Sequence, residues 1–223
     1  YVGLKKSERE DMETKLGLLK GMQVTPNAID RAKILAKKYF DDKGYKNADI
    51  EINQREDVAG KNQVILDVVV DKKEKMKIHR IIIEGNNQLK TSKIKGGFLK
   101  KGAFAKTHEA GKFGSFLKAK KFTPERWATD KKNLIDKYNE YGYRDAEIVA
   151  DSVWNYDNKH VDIYVKVDEG KKYYLRNVSW VGNTVYTTDY LSRVLGMHKG
   201  DVYNQKLLNK RLTEDEGQCS TIN

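Results

Sequence analysis

Val24-Thr25-Pro26, followed eighteen residues beyond its proline by Gly44-Tyr45, and Phe122-Thr123-Pro124, followed at the same distance by Gly142-Tyr143, are one signal written twice, 98 residues apart. These are the only two prolines in the chain. Thr25 and Thr123 suit a helix N-cap, where the hydroxyl takes a free backbone N–H, and proline suits the first helical position, where no N–H is needed. Gly44 and Gly142 suit the positive-φ residue after a helix C-terminus. Between them Ile29, Ala32, Ala36 and Phe40 recur at helical spacing, as do Trp127, Leu134, Tyr138 and Tyr141. Each helix therefore has one apolar stripe to bury.

Working outward, each Gly-Tyr leads into two runs with strand alternation joined by a polar turn: residues 48–54 and 63–70, then 146–154 and 160–167. These read as antiparallel hairpins. A second repeat joins the units. Residues 77–86 end in Gly85-Asn86 and residues 174–183 end in Gly182-Asn183, 97 apart, each reading as a strand with a tight exit turn. Short helical segments follow at 91–98 and 188–195, and a third copy is visible at 7–18 after Gly3. The repeating unit is strand, helix, helix, strand, strand, a period that sets the architecture more firmly than propensity does.

The 223 residues suffice for one large domain or two to three small ones, and 39% hydrophobic content excludes a disordered tail. The longest apolar runs, such as Ile81-Ile82-Ile83, fall far short of the ~18 residues a spanning helix needs. The single cysteine, Cys219, cannot form an internal disulfide, so stability must come from packing. Tyr1-Val2-Gly3 shows neither an initiator Met nor a targeting pattern, and the start reads as a cut through a longer chain. The formal charge is +11, and residues 90–121 alone carry ten lysines against Glu109. The basic balance is chiefly a property of that one segment.

The strand ending in Gly-Asn, the Gly200-Asp201-Val202-Tyr203 turn, the Gly-Tyr pairs and the Val167-Asp168-Glu169-Gly170 ending together resemble the POTRA (polypeptide-transport-associated) domain, in tandem copies like those of the BamA-type outer-membrane β-barrel assembly factors. The resemblance implies an α+β fold of β-α-α-β-β modules, each a three-stranded sheet with two helices on one face. Residues 1–75 would be a module lacking most of its first strand, 76–170 a complete one, and 171–223 the first part of another. The stretch from Gly85 to Phe122 is about 17 residues longer than its counterpart from Gly182 to Val202, so the middle module carries a lysine-rich insertion near 95–121. Residues 216–223 lack the stripe and Gly-Tyr that a second helix should lead to, and read as a truncation.

No enzyme signature is present. His79, His108, His160 and His198 lack metal-like spacing to each other or to Cys219, Ser115 is not in a nucleophile elbow, and the glycines near 96 and 111–114 match no phosphate-binding pattern. No catalysis, metal or cofactor is expected. The resemblance instead implies a periplasmic part of an outer-membrane protein of a Gram-negative bacterium, which receives unfolded β-barrel precursors and scaffolds accessory assembly lipoproteins. A POTRA region of a two-partner secretion transporter or a cell-division scaffold is the neighbouring reading; a basic nucleic-acid-binding protein explains none of the repeat, and no nucleic acid is expected.

By the resemblance, the strand after each Gly-Tyr is an edge strand, which can capture an extended segment through its backbone. Ile148, Val149, Ala150, Asp151, Ser152 and Val153, with Ile50, Glu51, Ile52 and Asn53, are the expected docking rails. In the insertion, Phe98, Phe104, Phe113 and Phe116 interleave with Lys95, Lys100, Lys101, Lys106, Lys112, Lys118, Lys120 and Lys121. Three readings stand open there: a solvated loop, a contact surface for a partner protein or an anionic membrane surface, and a surface on which single-stranded nucleic acid could stack.

Overall fold

The computed structural model describes residues 1–58, 60, 62–97, 100–109 and 119–213. Helix α1 spans Lys6–Lys15 and α2 spans Pro26–Asp42; strands β1 (Asp49–Glu56) and β2 (Val64–Asp71) form the first hairpin. The second copy of the repeat runs β3 (Lys77–Glu84), α3 (Thr91–Lys95), the two-residue pair β4 (Gly96–Gly97) and β5 (Lys100–Lys101), α4 (Pro124–Glu140), β6 (Glu147–Asn155) and β7 (His160–Asp168). Helices α5 (Thr188–Leu195) and α6 (Gln205–Thr213) follow.

The helix starts obey the expected chemistry. Thr25 Oγ1 accepts the Ala28 N–H at 3.2 Å, and Thr123 Oγ1 accepts that of Arg126 at 3.2 Å. Each proline opens its helix where a missing N–H is harmless. The Gly-Asn turns are also built alike. Asn86 Nδ2 donates to the Leu89 carbonyl (3.2 Å) and to Thr91 Oγ1 (2.9 Å), and Asn183 Nδ2 to the Tyr186 carbonyl (3.0 Å) and to Thr188 Oγ1 (3.3 Å). Each asparagine thus ties the turn to the start of the short helix.

Strand β1 pairs antiparallel with β2 in the register Asp49 to Asp71 through Glu56 to Val64. On the other side of β2, Val2 makes a parallel bridge with Val69: its N–H donates to the Val68 carbonyl (2.8 Å) and its carbonyl accepts from Val70 (3.1 Å). One residue thus does the pairing of a first strand. In the second copy the sheet order is β3-β7-β6, so the second hairpin strand is again central.

The expected third strand, residues 174–183, is not formed. Tyr174 makes one antiparallel bridge with Val202, the counterpart of the Lys77 bridge with Lys121, and the residues after it are extended without a ladder. A strand exists through its partner. Lys77–Glu84 finds one in β7, whereas the described residues beyond 174 contain no hairpin. The short helices are also briefer than expected, at Lys6–Lys15 and Thr91–Lys95.

The chain divides into two compact units, residues 1–79 with 109–127 and 154–161, and residues 80–108 with 128–153 and 162–223. The first buries Met12, Leu16, Ala32, Ala36, Phe40, Ile52 and Val68 in one cluster, so the stripe of α2 lies on the β1-β2 sheet. The second buries Ile81, Leu89, Ile94, Leu134, Tyr138, Ile163 and Val165. An aromatic pair recurs at the 98-residue offset: Phe40 meets Tyr45 edge-on at 6.3 Å, and Tyr138 meets Tyr143 at 6.0 Å. Such pairs contribute about 0.5–1.5 kcal/mol beyond their burial.

The Gly-Tyr turns also hold the next stretch of chain. The Gly44 carbonyl accepts the Met76 N–H at 3.1 Å, and the Met76 carbonyl accepts that of Phe122 at 2.8 Å. In the same pattern the Gly142 carbonyl accepts from Tyr173 at 2.8 Å, and the Tyr173 carbonyl from Tyr203 at 3.0 Å. Lys75 lies 4.8 Å from the Tyr45 ring centre and Lys172 lies 6.0 Å from that of Tyr143. Gly44 and Gly142 have φ of +88° and +92°. A Cβ on Gly44 would come 2.4 Å from the Phe122 carbonyl oxygen, and one on Gly142 would come 2.5 Å from Val202 Cγ1.

Both glycines therefore resist substitution, but unequally, because a backbone oxygen fixed in a hydrogen-bonded turn yields less than a methyl group. Gly44→Ala is expected to cost about 2 kcal/mol or more, and Gly142→Ala measurably less. Thermal melting of the two variants checks this; equal, unchanged midpoints would contradict it.

Candidate functional site

Strand β1 has one side without a strand neighbour. Because Val68 and Val70 direct their backbone groups to Val2, the intervening Asp67, Val69 and Asp71 direct theirs to β1. Their partners Asn53, Glu51 and Asp49 are consumed in the ladder. The N–H and C=O groups of Ile50, Ile52 and Gln54 point away from the sheet. Side chains split the other way: Ile52 is buried and Ile50 half-buried against the helix layer, while Glu51 and Asn53 are exposed.

Beside this edge runs a groove of about 670 Å³ between β1 and α2, lined by Lys33, Ile34, Lys38, Asp42, Ala48 and Ile50 among others. Ile34 is 69% exposed there. Lys37 fixes one wall by donating from Nζ to the Ala48 carbonyl at 3.0 Å. The arrangement offers an unpaired backbone next to apolar side chains with charged flanks. An extended polypeptide fits such an edge, since every residue brings the same backbone groups.

Strand β6 is likewise an edge of its sheet. Ile148 and Val153 are half-buried, while Val149, Ala150, Asp151 and Ser152 are exposed, Val149 by 57%. Here the helix is tied to the strand: Lys131 Nζ lies 3.1 Å from both oxygens of Asp151. The residues 98 earlier are Lys33 and Asn53, which have no such charge pair to form. Tyr45, Tyr143 and the Gly44, Gly85, Gly142 and Gly182 turns with Asn86 and Asn183 are structural, as their contacts above show.

The insertion separates into parts. Lys95 Nζ donates to the Ile81 carbonyl at 2.7 Å and Phe104 is 3% exposed, so these two side chains serve packing and not an outer contact surface, while Lys93, 5.1 Å from the Tyr141 ring centre, is exposed. Lys100 and Lys101 form the two residues of β5, and Lys106, Lys120 and Lys121 are exposed. Phe98, Lys112, Phe113, Phe116 and Lys118 lie outside the described residues. What anchors the segment is Asp130, fully buried on α4. Its Oδ2 accepts the N–H groups of Lys106 (2.9 Å) and Thr107 (2.7 Å) and the Thr107 hydroxyl (2.8 Å), while Asn133 donates to Oδ1 at 3.0 Å. The residue 98 earlier is Ala32, on a helix with no insertion to hold. That Ala-to-Asp difference inside an otherwise matching apolar stripe was the signal available in the sequence.

A comparable exchange fixes the short-helix loops. Glu169, 5% exposed, accepts the N–H groups of Gln88 (2.7 Å) and Leu89 (2.9 Å). In the first copy Lys72 occupies that position, 97 residues earlier, and bonds at 2.9 Å to Glu8, which also accepts the Lys5 N–H. The histidines are scattered: His79 stacks on Tyr156 at 3.9 Å, His160 sits 2.8 Å from Asp157, and His198 sits 3.5 Å from Asp201. Among the described residues no cluster of metal-ligating side chains occurs, and no helix is long and apolar enough to cross a membrane.

Comparison with known proteins places the repeat. The family described as POTRA, "Surface antigen variable number repeat", matches residues 1–73, 76–170 and 173–216. The outer membrane protein assembly factor BamA of Buchnera aphidicola subsp. Acyrthosiphon pisum (strain APS) is 26% identical over 93 residues, which are 40% of this chain and 15% of that protein's length. Among solved structures, POTRA3-5 of Haemophilus influenzae BamA aligns over 95% of this chain and 80% of its own, with 18% identity and a TM-score of 0.45. The N-terminal domain of Omp85 from Thermosynechococcus elongatus aligns over 97% and 82%, with 14% identity and a TM-score of 0.43.

Asp130→Ala removes a carboxylate that satisfies two backbone donors and a hydroxyl. It is expected to cost about 2–4 kcal/mol, one orphaned buried group costing about 1–3. It should also open residues 100–109 to limited proteolysis before the rest of the chain. Cleavage at the wild-type rate would contradict the anchoring role.

Proposed function

The chain belongs to the POTRA family, whose modules are non-catalytic binding modules, and from that premise we propose that it is the polypeptide-receiving region of an outer-membrane protein assembly factor. It lies in the periplasm of a Gram-negative bacterium, takes up unfolded β-barrel precursors by adding an extended client strand to its sheet edges, and scaffolds accessory assembly lipoproteins.

The observation that carries this reading is the outward row of backbone groups at Ile50, Ile52 and Gln54 beside the groove of α2. Barrel precursors differ in sequence but share alternating strands, so a site that bonds main chain and offers shallow apolar pockets to alternate residues accepts many of them. Specificity then comes from conformation more than from sequence. The β6 edge, with Ile148, Ala150 and Ser152 at the same offset as Ile50, Ile52 and Gln54, is the second rail of this proposal.

The register makes the test selective. Gln54→Pro removes an outward N–H and leaves the ladder to β2 intact, whereas Asn53→Pro removes a ladder donor. With an extended peptide copied from a barrel strand as client, Gln54→Pro combined with Ser152→Pro is expected to weaken binding roughly tenfold, a loss of about 1.4 kcal/mol, at near-normal stability. Asn53→Pro should lower stability itself. Unchanged client affinity in the folded double variant would sink the proposal.

A further inference from the structure

Where β3 begins, the surface carries cations that the fold does not pair. Lys77 opens β3 and faces Lys121 in an antiparallel bridge. Directly opposed residues hold their side chains on one face, where like charges repel. Arg126 donates from its guanidinium to the Lys121 carbonyl at 3.0 Å, which keeps a third cation beside them. It stands in the first turn of α4, the helix end that disfavours a cation and favours an anion.

Lys75 completes the group. Its ammonium rests 4.8 Å from the Tyr45 ring centre. Burial, and then the charges of Lys121, Arg126 and Lys43, hold its pKa below the usual lysine range. Glu8, the acid whose charge acts on Lys75, already takes the Lys5 N–H and the Lys72 ammonium, and the adjacent Glu74 pairs with Lys159 at 3.4 Å. Lys43 shares Asp11 at 3.4 Å, but Lys75, Lys77, Lys121 and Arg126 have no ion pair among the described residues.

We propose that Lys75, Lys77, Lys121 and Arg126 form a docking site for an acidic segment of a partner polypeptide. The charge calls for an anion, and the anchoring narrows its kind. A ring beneath Lys75 and the carbonyl that Arg126 bonds hold two of the cations in place, and the backbone bridge sets the other two, Lys77 and Lys121, side by side along the chain. Fixed cations suit carboxylates carried at fixed spacing on a chain; a fluid headgroup layer gains nothing from such placement. The site is separate from the edge-strand reading, since none of its residues belongs to β1 or β6.

The test uses fluorescence anisotropy with a labelled peptide of alternating Glu and Ser, a Lys-Ser peptide as control, and sedimentation with phosphatidylglycerol vesicles in parallel. The Glu-Ser peptide is expected to bind, to weaken steeply with added salt, and to lose at least roughly tenfold in affinity in the Lys75→Gln, Lys121→Gln, Arg126→Gln triple variant. Lys121→Gln alone should raise the melting temperature, because it relieves repulsion that only a ligand relieves in the native chain. Vesicle binding without peptide binding, equal affinity in the triple variant, or a lower melting temperature in Lys121→Gln would each overturn the proposal.

Discussion

A hairpin of two short strands is marginal on its own, and the organisation of this chain follows from how each hairpin is completed. In both copies the second hairpin strand becomes central by taking a further partner from upstream, Val2 in the first and β3 in the second. The apolar stripe of the long helix then covers one face. This leaves the first hairpin strand as an edge with its outward backbone groups unbonded to the sheet. The feature that completes each hairpin also leaves an open sheet edge.

The Gly-Tyr turn links one copy to the next under the same economy. Its glycine carbonyl accepts from the residue that opens the following stretch, and that residue's own carbonyl accepts from the start of a later turn. A side chain on the glycine would collide there, so the positive φ and the close approach are one requirement. Tyr45 and Tyr143 add a ring against the long helix and a face for a lysine from the connecting segment. The regular spacing of the dipeptide thus reflects a repeated physical joint.

Much of this was legible in the sequence because local chemistry decides it. Proline and threonine at the helix starts, glycine after the ends and alternation in the hairpins report interactions between near neighbours. Residues 174–183 carry the same alternation as 77–86 yet form no strand, because a strand depends on a partner that local pattern does not encode. The role of Val2 was hidden for the same reason. What Asp130 and Glu169 do shows only in the loops that fold back onto them, since the backbone N–H groups they accept lie 23 or more residues away in sequence, and the burial of Phe104 likewise needs the fold. The edge position of β1 was anticipated, but which of its backbone groups point outward needed the register to β2. The net charge pointed first to the insertion as a whole. The structure instead uses Lys95 for packing and sets Lys121 beside Lys77 and Arg126, which lie outside the insertion.

The central claim is that client chains add to the β1 edge through backbone bonds. Amide hydrogen exchange on the chain, with and without an extended barrel-strand peptide, reads it at single residues. The account predicts new protection at Ile50, Ile52 and Gln54, while Glu51 and Asn53, already bonded to β2, change little. Peptide binding that leaves the Ile50, Ile52 and Gln54 amides exchanging at their free rates would contradict it.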